Sequence, residues 1–337
     1  VLIGLVALFV GMTIDYRKYK KLTKPAVIIS IILLTITLVL GGEVKGATRW
    51  LRFGGLSLQP SEFAKFALLF HLCTLISTKG DVIRDFKKGF LPMMVWIGSV
   101  AVLVLLQPNF STGSMIILMS IVMLFISEAK LTHLFVTVGA AIPVLAAVAV
   151  ARPHVIARIK SFIDGSSSGG HLNYQLMQGI ISFGNGGLFG VGPGLSKQRD
   201  FFLPESYGDF VFSIVGEEYG LIGTIVFMGL FLVLLLRGFK IAKNARDDFG
   251  RLLAIGITSV VTLYALVNAG VTLGILPTTG LPMPFVSYGG SSLLFTSFAV
   301  GVLLNISSQT DMHPRLEKTP APEKASQPLE DQTAKVY

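Results

Sequence analysis

Eight apolar runs, each close to the roughly 20 residues that cross a bilayer as a helix, dominate this sequence. Only helices and closed barrels satisfy their backbone hydrogen bonds inside lipid, and runs of this length indicate helices. With 52% hydrophobic and 14% charged residues, the chain differs from soluble domains, in which about a quarter of residues are charged. The sequence therefore predicts an all-α, polytopic transmembrane helical bundle. The runs lie at 25–42, 62–78, 89–106, 111–127, 132–150, 210–236, 252–275 and 284–306.

The two ends of the chain differ from this pattern. A ninth apolar run, 1–14, is too short to span alone and has no initiator Met, so we expect it to be the remainder of a truncated helix. A cleaved signal peptide is the poorer interpretation, because a basic start and a small-residue cleavage site are missing. Residues 308–337, with four prolines and many charged residues, predict a disordered cytoplasmic tail after a transmembrane domain of residues 1–307.

Lys and Arg favour cytoplasmic loops, and this rule orients the chain. If the connector 15–24 is cytoplasmic, alternation places 19 of the 28 Lys and Arg residues on that side. The net charge of +9 then reflects topology and attraction to anionic membrane lipids, and we expect no nucleic-acid partner. Cys73 has no partner for a disulfide, and the five His residues lack the spacing of a structural zinc site.

Three long polar loops are predicted on the exported side: the first loop (43–61), the second loop (151–209) and the third loop (276–291). The second loop is too long for a simple connector, and within it RPHVIARIKSFID (152–164) predicts a basic amphipathic segment that lies along the interface. The third loop carries three prolines, which indicate irregular backbone that is covered by protein or lines a wet cavity. We also expect Asn109, Ser111 and Thr112 to cap the helix that begins near them.

Four carboxylates in LPESYGDFVFSIVGEEYG (203–220) mark the candidate for chemistry, because acids at a membrane edge are expensive unless paired, wet or functional. Asp209 lies where the second loop meets a predicted helix, as a general base available to substrate or as a simple N-cap. Glu217 and Glu218 point about 100° apart on that helix, which favours a role in packing. Glu205, beside Pro204, positions substrate or caps a turn.

The first loop supplies candidate cations. Arg49 can bind a phosphate through two donors or, with Trp50, anchor the chain at the interface. Glu62 and Lys65 lie at i and i+3 of a predicted helix, which indicates a polar site facing the bundle. Gln59 and Ser61 can donate to sugar or phosphate, or cap that helix. In the third loop, Ser287 and Tyr288 precede two glycines that permit close approach of the backbone.

Five blocks together resemble the SEDS family of bacterial shape, elongation, division and sporulation proteins, most closely its division branch. They are ATRWLRFGGLSLQPSEFAK (47–65), QPNFSTG (107–113), GGLFGVGPG (186–194), LPESYGDFVFSIVGEEYG and LPTTGLPMPFVSYGGSS (276–292). The resemblance implies a ten-helix fold, of which about nine helices are present here, in the cytoplasmic (inner) membrane. Tyr207 and Gly208 depart from the His-Thr that the family often carries before the loop aspartate.

The resemblance also implies the activity: an inverting peptidoglycan glycosyltransferase that polymerises lipid II, an undecaprenyl-pyrophosphate-linked disaccharide pentapeptide, for septal cell-wall synthesis. It implies a class B penicillin-binding protein transpeptidase and other divisome proteins as partners. A lipid II flippase and a non-catalytic scaffold are the alternatives. Asp209 is then the catalytic base, and the departing pyrophosphate requires positive charge from the protein or from a divalent cation, Mg or Mn. Predicted substrate-binding residues are Arg49, Trp50, Gln59, Ser61, Glu62, Lys65, Glu205, Ser287 and Tyr288.

Overall fold

The computed structural model describes residues 1–40, 42–44, 47–53, 56–127, 129–163 and 171–310. Within these ranges the chain forms eleven α-helices and three short β-strands. The helices are α1 Leu2–Thr13, α2 Tyr16–Leu40, α3 Pro60–Lys79, α4 Leu91–Leu106, α5 Phe110–Ile126, α6 Leu131–Val150, α7 Pro153–Ile163, α8 His171–Gly186, α9 Val211–Lys243, α10 Asp248–Thr272 and α11 Gly290–Ser308; the strands are β1 Gly42–Val44, β2 Ala47–Phe53 and β3 Leu56–Leu58.

The predicted helical bundle is confirmed. Among the described residues, seven helical stretches are long and apolar enough to cross a membrane, and α1 and α5 are apolar but shorter. Each of the nine apolar runs falls on a helix, although α11 begins only at Gly290, after the prolines of the third loop. The predicted tail falls at residues 311–337, outside the described part of the chain, apart from its first three residues.

The connector 15–24 is helical, so its prediction as a loop is wrong. Asp15 explains the difference, because its Oδ1 accepts a hydrogen bond from the backbone N–H of Arg17 at 2.9 Å and so caps the start of α2. The basic residues that follow therefore extend α2 at its first turns rather than forming a separate loop.

The centre of the bundle is α10, which packs against α3, α5, α9 and α11. On one side α1 lies along α11 at very short range. A Cβ atom added at Gly11 would lie 2.4 Å from the carbonyl oxygen of Phe298, and one at Gly301 would lie 2.2 Å from that of Leu8. Small residues at such crossings let two membrane helices approach closely enough for continuous backbone contact.

A sharp kink divides α9 at Gly220, whose φ of 66° and ψ of −168° are not helical. At 1.5 Å per residue an unbroken helix of 33 residues would be about 50 Å long, well beyond the roughly 30 Å of the hydrocarbon core. The part after the kink, 221–243, is long enough to span the membrane by itself. The part before it, 211–219, joins the membrane helix to the second loop.

Further helices and strands lie outside the long apolar spans. The strands form an antiparallel sheet in the order β1–β2–β3, with Trp50 opposite Gly42 and Leu51 opposite Leu58. This sheet leads directly into α3 at Pro60. The basic amphipathic segment of the second loop forms α7, and α8 follows it and packs against α9.

Candidate active site

Asp209 lies in a turn immediately before α9. Phe210 occupies the N-cap position of α9, so the alternative prediction that Asp209 is the N-cap is wrong. The main-chain carbonyl oxygen of Asp209 accepts a hydrogen bond of 2.8 Å from Nδ2 of Asn268 on α10. The carboxylate is partly exposed and lies beside the amino end of α9, where the helix dipole favours a negative charge.

The carboxylate of Asp209 faces Gly280 of the third loop. A Cβ atom added at Gly280 would lie 3.1 Å from Oδ2 of Asp209 and 3.9 Å from Nη1 of Arg158. The φ of Gly280 is 73°, a conformation that residues with a side chain rarely adopt. A glycine at this position therefore lets a carboxylate and a guanidinium approach the same stretch of backbone.

Arg158 comes from α7 and is held by the third loop. Its Nη1 donates hydrogen bonds to the carbonyl oxygens of Thr278 at 3.3 Å and Thr279 at 3.0 Å. Burial lowers the pKa of Arg158, and the negative charge of Asp209 acts in the opposite direction. Because a guanidinium stays protonated in proteins, Arg158 remains a fixed positive charge beside Asp209.

Arg49 of β2 adds a second guanidinium. Its Nη2 donates to the carbonyl oxygen of Pro108 in the turn between α4 and α5. Burial lowers the pKa of Arg49 most, the nearby charge of Arg158 lowers it further, and the charge of Asp209 raises it. The charges of Arg49, Arg158 and Asp209 thus lie close enough to influence one another, although Arg49 and Asp209 are 160 positions apart in the sequence.

A small cavity of about 70 Å³ lies at these arginines, lined by Arg49, Ser111, His154, Arg158, Thr278 and Thr279 among others. Burial and the charges of Arg158, Arg49 and Arg152 lower the pKa of His154. Drug-sized ligands occupy pockets of about 300 Å³ or more, so this cavity has room for one small group and not for a disaccharide. Its two guanidinium groups favour an anionic group.

Glu62 and Lys65 form the polar site predicted for them, and it is buried. The Nζ of Lys65 lies 2.8 Å from Oε2 of Glu62, and the two side chains are 3% and 2% exposed. The ammonium also lies 4.0 Å from the ring centroid of Tyr264 on α10, a cation–π distance. Within the bundle the pair is therefore neutralised by ion pairing and covered by an aromatic ring.

The other predicted residues of the first loop connect helices. The Oγ of Ser61 accepts from Nδ2 of Asn109 at 3.3 Å, and the backbone N–H of Gln59 donates to Oγ of Ser291 at 2.9 Å. Gln59 occupies the N-cap position of α3, but its side chain makes no capping hydrogen bond. Trp50 is half-buried in β2.

The prediction that Asn109, Ser111 and Thr112 cap α5 is wrong. Asn109 occupies the N-cap position without a side-chain capping bond. Its amide instead reaches Ser61 on α3, and the Oγ of Ser111 donates to the carbonyl oxygen of Thr279 at 2.6 Å. These polar groups bind neighbouring segments because the first and third loops pack directly on the start of α5. Asn109 thereby links the cavity to the Glu62–Lys65 pair on α3.

The third loop is bound to the turn that carries Asp209. The Oγ of Ser287 donates to the carbonyl oxygen of Gly208 at 2.7 Å and accepts from the backbone N–H of Met283 at 2.7 Å. The backbone N–H of Tyr288 donates to the carbonyl oxygen of Tyr207 at 2.7 Å, and the Tyr288 side chain is 91% exposed. Ser287 therefore joins the third loop to the turn before α9, and the ring of Tyr288 is exposed to solvent at the edge of the site.

The remaining acids separate as their spacing predicts. Glu217 is buried, and its carboxylate accepts hydrogen bonds from Oγ of Ser196 and from the backbone N–H of Gln198 at 3.2 Å. Glu218 pairs with Arg199 at 2.8 Å. Both glutamates thus hold the second loop against the kink of α9, which confirms their predicted role in packing. Glu205 is exposed in the turn, with a φ of 56°.

The residues at Asp209 do not fit a resident divalent cation. Among the described residues, no group of three or more His, Cys, Asp or Glu side chains is arranged to hold a metal ion. The guanidinium of Arg158, which approaches the same glycine as the carboxylate, carries a positive charge and has no lone pair for a metal. The positive charge around this carboxylate comes from Arg49 and Arg158.

Comparison with known proteins places the chain in a family. The FtsW/RodA/SpoVE family model, described as "Cell cycle protein", matches residues 1–312. The chain belongs to this family. The resemblance inferred from the five sequence blocks is thereby confirmed, together with the polytopic helical fold.

Named relatives of this FtsW/RodA/SpoVE member come from several bacteria. A "Probable peptidoglycan glycosyltransferase FtsW" of Trichlorobacter lovleyi is 42% identical over 315 residues, which cover 93% of this chain and 83% of the relative. The "Stage V sporulation protein E" of Bacillus subtilis is 38% identical over 308 residues, 90% of this chain and 84% of the relative.

A solved structure described as "Structural coordination of polymerization and crosslinking by a peptidoglycan synthase complex" contains a chain of the same fold. It matches with a TM-score of 0.77 at 27% identity, over 92% of this chain and 88% of the matched chain. The helical architecture described above is therefore shared with a chain of a solved peptidoglycan synthase complex.

Proposed function

We propose that this chain is a peptidoglycan glycosyltransferase that polymerises lipid II for septal cell-wall synthesis in cell division. The relatives named FtsW and the family match support this activity. The observation that carries the proposal is the convergence of the Asp209 carboxylate and the Arg158 guanidinium at Gly280. A base and a fixed cation side by side are the two groups that glycosyl transfer from a pyrophosphate donor requires.

Asp209 acts as the general base. The acceptor sugar hydroxyl attacks the anomeric carbon of the donor while Asp209 takes the hydroxyl proton. The bond from that carbon to the pyrophosphate oxygen breaks, and undecaprenyl pyrophosphate leaves with the electron pair. Attack from the side opposite to the leaving group inverts the anomeric carbon. A positioned base contributes about 10²- to 10⁴-fold to such a step.

Arg158 and Arg49 stabilise the departing pyrophosphate. Hydrogen bonds to Thr278, Thr279 and Pro108 fix both guanidinium groups in place before substrate arrives. Charges fixed in advance stabilise a transition state without reorganisation during the reaction. The cavity of about 70 Å³ at these residues has room for a phosphate-sized group, so the sugars and the lipid would lie outside it, along the open surface.

The predicted substrate-binding residues fall into three groups according to their position in the structure. Tyr288 of the third loop and Glu205 of the turn before α9 are both exposed near Asp209, where the sugars would approach, and Trp50 lies on the first loop. Gln59, Ser61 and Ser287 form hydrogen bonds that hold neighbouring segments of the site together, and so they maintain its shape. Glu62 and Lys65 support it from inside the bundle, with Lys65 as a further charge near the first loop.

Partner and location follow from the same proposal. A related chain takes part in a complex described as coordinating polymerization and crosslinking. We infer that this chain likewise works with a class B penicillin-binding protein transpeptidase and other divisome proteins. The site then faces the exported side of the cytoplasmic membrane, where cross-linking takes place.

The test is polymerisation of purified lipid II by the purified chain in detergent, alone and with the transpeptidase, followed on gels that resolve glycan length. The proposal predicts glycan strands in at least one of the two reactions. Absence of polymer in both reactions would overturn it. Movement of labelled lipid II across vesicles without polymer would overturn it in favour of a transporter.

A further inference from the structure

Asn268 is a buried polar residue at the centre of the bundle that the reaction above does not use. It lies on α10, is 1% exposed, and donates through Nδ2 to two carbonyl oxygens. One belongs to Asp209 at 2.8 Å and the other to Leu281 at 2.8 Å. A carbonyl oxygen can only accept, so the amide nitrogen must be the atom that faces both of them.

The two carbonyl groups belong to the two walls of the site. Asp209 supplies the carboxylate, and Leu281 directly follows Gly280, the residue against which that carboxylate lies. One rigid side chain with both amide hydrogens in use therefore fixes the distance between the aspartate backbone and the third loop. We propose that Asn268 is a positioning residue, which holds Asp209 and the third loop in the geometry for proton transfer.

The rest of the third loop is bound to the same turn by other groups. Ser287 joins Gly208 to Met283, and Arg158 binds the carbonyl oxygens of Thr278 and Thr279. Of these groups, Asn268 is the one that donates to the main-chain carbonyl oxygen of Asp209 itself. Asn268 lies on α10, which packs against α3, α5, α9 and α11, so the backbone that carries its side chain is itself held in place.

The consequence for catalysis is specific. When a base is displaced by about 1 Å, the rate of proton transfer can fall by as much as about 100-fold, although substrate still binds. Loss of Asn268 should therefore lower kcat and leave the KM for lipid II nearly unchanged. A residue that only stabilised the fold would reduce the amount of folded protein and not the turnover of each folded molecule.

The variants are Asn268→Asp and Asn268→Ala. Aspartate has almost the same shape, but it donates no hydrogen bond when ionised and one when protonated, so it cannot hold both carbonyl groups. Matched controls are Asn305→Asp and Asn305→Ala. Asn305 on α11 is also buried and donates to a carbonyl oxygen, that of Met12, at 2.8 Å. It lies 15 residues beyond Gly290, about 22 Å along the helix from the third loop.

The measurement is kcat and KM for lipid II, normalised to folded protein by size-exclusion chromatography. We expect both Asn268 variants to lose about 10- to 100-fold in kcat with KM within about threefold. The Asn305 variants should stay within about threefold of the parent in both constants. Equal losses at the two positions, or a rise in KM at constant kcat, would overturn the inference.

The inference rests on the proposed function, and the two can fail separately. Absence of polymerisation by the parent chain contradicts the proposed function itself. An active parent with fully active Asn268 variants contradicts only the positioning role. Failure of even Asn268→Asp to yield folded protein would assign Asn268 to folding and would likewise overturn the positioning role.

Discussion

Glu217 and Glu218 are adjacent in sequence, and the structure predicts very different effects of replacing each by alanine. The carboxylate of Glu217 is buried and accepts from Ser196 and Gln198 of the second loop. Glu217→Ala leaves these two donors buried without an acceptor. Each such donor costs about 1–3 kcal/mol, so detachment of the loop becomes easier by roughly 3 kcal/mol. At about 1.4 kcal/mol per factor of ten, this corresponds to roughly 100-fold.

Glu218→Ala is the matched control. Its ion pair with Arg199 is nearer the surface, with side-chain exposures of 11% and 19%. Arg199 also contacts Asp200 and the carbonyl oxygen of Gly194, and both contacts remain after the substitution. An ion pair of this kind contributes about 1 kcal/mol or less, which corresponds to about fivefold at most.

The assay is cleavage by trypsin after Lys197 in the folded protein, followed by mass spectrometry. When opening and closing are fast, the cleavage rate follows the population of the open form. We expect Glu217→Ala to raise this rate roughly 100-fold and Glu218→Ala to raise it no more than about fivefold. Similar rates in the two variants would refute the conclusion that Glu217 contributes far more than Glu218 to holding the loop.

Two further substitutions test the cations. Arg158→Ala should lower the polymerisation rate about 100-fold, and Arg158→Lys should recover only part of that rate because an ammonium cannot replace the planar guanidinium. Lys160→Ala on the same helix is the control, and full activity of either Arg158 variant would contradict the catalytic role of Arg158. Lys65→Met alone should destabilise the fold by about 3–5 kcal/mol by leaving Glu62 unpaired, whereas the double variant Glu62→Gln, Lys65→Met should recover thermal stability without recovering polymerisation. Full activity of the double variant would contradict a contribution of the Glu62–Lys65 charges to the site.

Much of the fold could be predicted because membrane helices are specified by local sequence. Runs of apolar residues predicted nine of the eleven described helices and their positions, and the basic amphipathic pattern marked the segment that forms α7. The start of α2 was missed because a single capping residue, Asp15, outweighs the charged character of the segment after it. The strands β2 and β3 were missed although a Gly-Gly pair lies between them in sequence, a recognised hairpin signal.

The site was only half predictable. Asp209 and Arg49 could be selected because a charged side chain at the membrane edge is costly unless it is paired, hydrated or functional, and Glu217 because of its position along a helix. Arg158 was overlooked, since a basic residue on an amphipathic helix is normally assigned to the membrane surface. The available signal was its spacing of three from Val155, which is buried, so that the two share the inner face of α7. Asn268 gave no signal, because its role depends on two loops that approach each other only in the folded chain.

The central claim is that Asp209 takes the proton of the acceptor hydroxyl. Asp209→Asn keeps the shape of the side chain and removes its basicity, and Asp200→Asn is the matched control, an exposed acid of the same loop that contacts Arg199. In the lipid II polymerisation assay, we expect Asp209→Asn to yield no glycan strands, at equal folded protein and equal binding of the transpeptidase. Asp200→Asn should polymerise at nearly the parent rate. Strands made by Asp209→Asn at the parent rate would contradict the account.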